Sequence, residues 1–150
     1  MTTKLIKVWL FSLLTFVAVQ NAYADNHEPP FIGGHYWEVT GIKLADGAGL
    51  KYAKWLATEW RKNLEFAKKQ GWIESYHILS NTHPRSDEPD LYLVRIFSQQ
   101  ASVEEGENRR KTYMAWAKKS MEQMQSESGN RAEYRTVMST VQLQEMLFRK

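Results

Sequence analysis

The sequence predicts an α+β domain of order β-α-β-β-α-β, a four-stranded antiparallel sheet with both helices on one face. Three observations predict it: two stretches carry apolar residues at three- and four-residue steps, four are rich in β-branched and aromatic residues, and the two kinds alternate along the chain. With 43% hydrophobic and 25% charged residues, the composition is that of a folded globular chain, not a disordered or fibrous one.

Residues 1–24 stand apart from this pattern. Lys4 and Lys7 precede an apolar run over residues 8–19, and Ala22-Tyr23-Ala24 follows it, the three-part layout of a secretory signal peptide cleaved after Ala24. A membrane span needs about 20 apolar residues, so no stable membrane insertion is expected after cleavage. With no Cys in the chain, a lipid-anchored cysteine is excluded. Removal of 24 of the 150 residues leaves 126, one domain's length. Lys4 and Lys7 leave with the signal and no acid does, so 18 basic residues face 17 acidic ones and the net charge falls from +3 to +1. That balance argues against nucleic acid as a partner. The basic runs at Lys68-Lys69, Arg109-Arg110-Lys111 and Lys118-Lys119 sit beside acids and read as solvated surface. The expected compartment is a periplasm or the exterior, where disulfides form, yet without Cys the fold must rest on core packing.

Residues 25–34, with Pro29-Pro30 and Gly33-Gly34, read as a flexible lead-in, and residues 35–150 as a single domain. Residues 35–44 form the first expected strand and Asp46-Gly47-Ala48-Gly49 a turn. That turn lacks the third glycine and the parallel unit of a dinucleotide site, and reads as an ordinary connection. Residues 50–70 form the first helix, with Leu50, Ala53, Leu56, Ala57, Trp60, Leu64 and Ala67 as its apolar line and Gly71 as its stop. Strands follow at 72–82 and 91–97, joined by the proline-bounded segment 84–90. Ser102 and Glu105 fit a capping box opening a second helix that ends near Gly129, its sparse apolar line made of Val103, Met114, Ala117, Met121 and Met124. Residues 134–147 form the last strand.

Two helices cover only one sheet face. Trp37, Val39 and Gly41 are expected on the covered side of the first strand, with Tyr36, Glu38, Thr40 and Ile42 on the bare side. Leu91, Leu93, Arg95 and Phe97 of the third strand and Tyr134, Thr136 and Met138 of the last would share that bare face. A face that mixes charge with large apolar groups reads as a lined pocket or a dimer interface.

Over residues 36–147 the element order, the length and this mixed face resemble the dimeric α/β-barrel proteins of ferredoxin-like fold. Tyr36-Trp-Glu-Val-Thr-Gly41 and Ser128-Gly-Asn-Arg-Ala-Glu-Tyr-Arg-Thr-Val-Met138 are similar to a secreted branch of that superfamily without an established activity. The resemblance implies a homodimer pairing sheet on sheet around a pocket. Cofactor-independent monooxygenases, lactone isomerases, dehydratases and haem-handling enzymes share the fold, but none of their catalytic signatures matches here residue by residue.

The candidate pocket residues are Tyr36, Glu38, Arg95 and His77. Glu38 and Arg95, opposite charges on neighbouring strands, could orient a polar group, act as general base through a desolvated Glu38, or form a structural ion pair. Tyr76 and Arg135 are further candidates for that network. Of four histidines, His27 precedes Pro29-Pro30 and cannot start a helical zinc motif, His83 reads as surface, and His77 is a candidate haem or metal ligand only with cross-strand partners. His77 and His83 are about 20 Å apart along a strand and cannot share an ion. No metal and no cofactor is therefore expected. Tyr52, Trp55 and Phe66 fall opposite the apolar line of the first helix and form a candidate interaction patch.

Three functions follow as expectations. The first is binding of a small, mostly apolar ligand in a sheet-lined pocket of an exported homodimer. The second is a cofactor-independent monooxygenase or isomerase acting on an aromatic or lactone-like compound. The third is a protein-interaction module.

Overall fold

The computed structural model describes residues 28–150; the expected signal peptide, its cleavage after Ala24 and His27 lie outside them. The elements are β1 (Phe31–Leu44), α1 (Gly49–Trp55), a π-helical turn (Leu56–Trp60), α2 (Arg61–Lys69), β2 (Ser75–Ser80), β3 (Leu91–Phe97), α3 (Val103–Ala117), α4 (Met121–Asn130), a 3-10 turn (Arg131–Glu133) and β4 (Arg135–Phe148). The four strands form one sheet in the order β2-β3-β1-β4, every neighbour antiparallel. The class is α+β. Among the described residues no helix is long and apolar enough to cross a membrane.

β1 begins at Phe31, inside the segment expected to be a flexible lead-in, because Phe31, Ile32 and Gly33 pair with Phe148, Leu147 and Met146. The expected single helix over 102–129 is two. Lys118 takes the left-handed conformation (φ 54°), and Ser120 then caps α4 with its hydroxyl accepting from the Gln123 N–H. At the start of α3, Ser102 Oγ accepts from the Glu105 N–H at 3.1 Å, while the Glu105 carboxylate is held by Arg109.

The first helix runs unbroken from Gly49 to Lys69, with a π turn at its centre. Its buried line is Tyr52, Leu56 and Leu64, with Trp60 half-buried, while Leu50 is 69% exposed and Ala53 and Ala57 face solvent. The expected line through Leu50, Ala53 and Ala57 is thus corrected. Steps of four overshoot a 3.6-residue turn by about 40° each, and one widened π turn absorbs the drift so that Tyr52, Leu56, Trp60 and Leu64 stay on one side. The helix ends as expected at Gly71, where φ is 70°. The Gly71 N–H donates to Lys68 O and the Trp72 N–H to Ala67 O, both at 3.0 Å, and Trp72 packs edge-on against Phe66. This is the Schellman ending with its apolar contact.

The helices stand over the sheet face that carries Glu38, Thr40 and Ile42 of β1 and Leu93 and Arg95 of β3, because these residues and side chains of α1, α2 and α3 line one cleft. That reverses the expected faces. Ile42 and Leu93 are the inward residues that Tyr52 and Leu56 bury, and the two-residue period carries Glu38 and Arg95 to the same side. Trp37 and Val39 point away from the helices, as do Val94, Ile96, Val141 and Leu143.

Asp90 ties the far end of β1 to the loop before β3. Its Oδ2 accepts the Leu44 N–H at 2.8 Å, its Oδ1 takes Lys43 Nζ at 3.1 Å, and its own N–H donates to Ile42 O at 2.8 Å. Gly41 lies beneath this loop; a Cβ there would meet the Pro89 ring at 2.6 Å. The Leu44 N–H, and after it Lys43, holds the Asp90 carboxyl below the usual carboxylate range. A carboxyl depressed in the folded state stabilises above its unfolded pKa and loses that contribution as pH falls through the folded value.

Two outcomes are expected in urea denaturation. Tyr52→Ala lowers stability by about 3–5 kcal/mol, as truncation of a buried aromatic does, whereas Leu50→Ala changes it by less than about 0.5 kcal/mol. Asp90→Ala costs about 2 kcal/mol at neutral pH, and the gap to the wild type closes below about pH 4 as the native carboxyl takes up its proton.

Candidate functional site

α3 buries no residue of its own and docks through aromatic rings on the preceding helix instead of on the sheet. Phe66 stacks on Trp116 at 4.2 Å between centroids and touches Tyr113 at 6.2 Å and Trp72 at 5.4 Å. Arg109 lies over the Trp72 ring at 5.8 Å. Rings thus space the helix away from the strands. The gap is a cleft of about 490 Å³ whose floor is Thr40, Ile42, Leu93 and Val137, and whose walls include Tyr52, Trp55, Trp60, Trp72 and Tyr113. A second lobe of about 350 Å³ continues past Trp72 toward Phe97 and Gln142, and Glu38 and Arg95 line both lobes.

Glu38 and Arg95 are direct cross-strand partners. Arg95 Nε donates to Glu38 Oε1 at 3.0 Å and Nη2 donates to the same oxygen. The Arg95 side chain is 45% exposed, so the junction of the lobes is open to water. A carboxylate engaged in this way can orient a polar group, both hydrogen bonds falling on Oε1 while Oε2 accepts none among the described residues.

The other predicted residues are dispersed. Tyr36 stacks on Phe97 at 5.8 Å, beyond the cleft lining. His77 is exposed on the edge strand β2, and its partner Val94 points to the face away from the helices. Among the described residues no group of three or more His, Asp or Glu is arranged to hold a metal ion. The interaction patch is overturned. Tyr52 is 1% and Phe66 8% exposed, and Trp55 is half-buried, stacked on Tyr52 at 5.5 Å with Arg131 4.5 Å above its ring. Tyr52 is in the core because it stands one turn before Leu56, on the same side of the helix.

The sequence reasoning missed the basic character of the cleft. Arg95, Arg109, Arg110 and Arg135 line it beside Glu38. Arg109 is held by Glu105 and Arg110 by Glu107. Arg135 stands at the start of β4, opposite Leu44, and its Nε is buried without a hydrogen-bond partner among the described residues; Arg131 Nε is in the same condition. Burial, and then Arg135, lowers the Arg131 pKa from its ordinary value. Burial raises the Tyr52 hydroxyl, against the opposing pull of Arg135 and Arg131. The spacing of Arg131 and Arg135 around a tight turn was the available signal. Comparison of the chain with family models, with curated proteins and with solved structures yields no match.

Proposed function

We propose that the protein binds a small, mostly apolar molecule in the cleft between sheet and helices, as an exported homodimer of the ferredoxin-like, dimeric α/β-barrel kind. The observation that carries the binding function is the cleft itself. Its volume of about 490 Å³ is within the range of small-molecule sites, and its walls are aromatic with few polar groups.

Two further features support the remaining parts. Read from its other edge, the sheet order is β4-β1-β3-β2, and the chain alternates strands and helices as a split β-α-β pair does, with α4 as an addition. The face turned from the helices carries Trp37, Val39, Val94, Ile96, Val141 and Leu143; Val94 and Ile96 are buried, Trp37 and Val39 half-buried, and its exposed part is on β4, where Val141 and Leu143 are 46% and 55% exposed. Beyond the end of β3, β1 and β4 continue as a two-stranded ribbon with Phe148 78% and Met146 59% exposed. Apolar surface of this extent fits a second copy of the same chain. Export rests on the charged, apolar and small-residue order of residues 1–24.

Native mass spectrometry tests both parts. The expected species is a dimer that takes up one N-phenyl-1-naphthylamine per protomer. Ala67→Trp, which fills the position shared by both lobes, is expected to weaken uptake at least about tenfold with the dimer intact. Leu143→Glu is expected to give monomers. A ligand-free wild-type monomer would contradict both parts.

A further inference from the structure

We infer that the molecule held in the cleft is an organic acid, an aromatic or otherwise apolar body with one anionic head, and that Arg135 holds the head at the end of the cleft where β4 begins. This rests on the cleft being a binding site and adds the class of molecule it takes.

The argument is an account of charge. Of the four arginines lining the cleft, Arg95 is answered by Glu38, Arg109 by Glu105 and Arg110 by Glu107. Arg135 forms no ion pair among the described residues, and neither does Arg131. Arg131 is spread on the Trp55 face at 4.5 Å, beside the same Tyr52 that walls the cleft. Arg131 lies outside the cleft lining, in a niche that also holds Glu59 and Glu127, so among the described residues Arg135 is the cleft arginine that no carboxylate answers. A guanidinium does not give up its proton, so relief has to come from an anion. Water supplies that relief poorly at the aromatic end of a cleft walled by Tyr52, Trp55 and Trp60.

The recognition follows from these groups. A carboxylate or sulfonate can accept two N–H donors from one guanidinium fork, while the rings of Trp55 and Trp60 cover an apolar body. A neutral molecule of the same shape would leave Arg135 unanswered, and a cation would be repelled by it.

Two fluorescent probes that differ only in charge test this. 8-Anilino-1-naphthalenesulfonate and N-phenyl-1-naphthylamine share an aromatic skeleton, and the first carries a sulfonate. Titrated against the wild-type protein, the sulfonate is expected to bind at least about tenfold more tightly. Arg135→Gln is expected to abolish that preference while the neutral probe keeps its affinity within about twofold. Arg135→Lys, which keeps the charge, is expected to retain most of it, and guards against loss of preference through misfolding. Equal affinity of the wild type for the two probes overturns the inference and leaves the cleft as a site for neutral molecules. A preference that survives Arg135→Gln also overturns it. Failure of the neutral probe to bind at all removes the cleft as a binding site, which is a separate result.

Discussion

The stack of Phe66 on Trp116 is the contact on which the cleft depends. α3 has no buried residue and brings almost no apolar side chain to the sheet, so its position is set by rings: Trp116 and Tyr113 on the helix, Phe66 and Trp72 on the element before it. Each ring occupies the width of a layer that aliphatic side chains would otherwise close. The Schellman ending at Gly71 matters for the same reason, because it turns the chain so that Trp72 lies against Phe66 and beneath Arg109. A local backbone motif, an aromatic stack and an open cleft are three levels of one arrangement.

β1 supplies the second constraint. It is a central strand with both faces apolar, and its two-residue period sends Glu38, Thr40 and Ile42 under the helices and Trp37 and Val39 outward. Charge therefore lies inside, between the layers, and the uncovered face is the more apolar one. This inversion of the usual distribution leaves a cleft with charge at its floor on one side of the sheet and an apolar face on the other.

The strand and helix stretches were legible in outline because their signals are local: β-branched and aromatic runs, the stop at Gly71, the Ser102 cap. That Glu38 and Arg95 share one face of neighbouring strands was also legible from alternation, but their direct pairing was not, because alternation does not fix the register. The covered face was not. Trp37, Val39 and Val94 make as good an inward set as Ile42 and Leu93, and alternation alone cannot choose between two apolar faces. The helix line failed for a different reason: it was drawn toward Leu50, Ala53 and Ala57, so that Tyr52, one turn before Leu56, was assigned to solvent when it belongs to the core, and a uniform 100° per residue has no place for the π turn that keeps Trp60 and Leu64 in line with it. The break at Lys118 hides in a left-handed lysine, which composition does not signal. Arg131 and Arg135 escaped notice as a pair because a 3-10 turn, not a helix or strand period, brings them together.

The central claim is that the space between the sheet and the helices is where a ligand sits. Intermolecular nuclear Overhauser effects from N-phenyl-1-naphthylamine to methyl-labelled protein test it most directly. Contacts to the methyl groups of Ile42, Leu64, Leu93 and Val137, which all line the cleft, are the predicted result. Contacts confined to Val141 and Leu143 on the opposite face would contradict it.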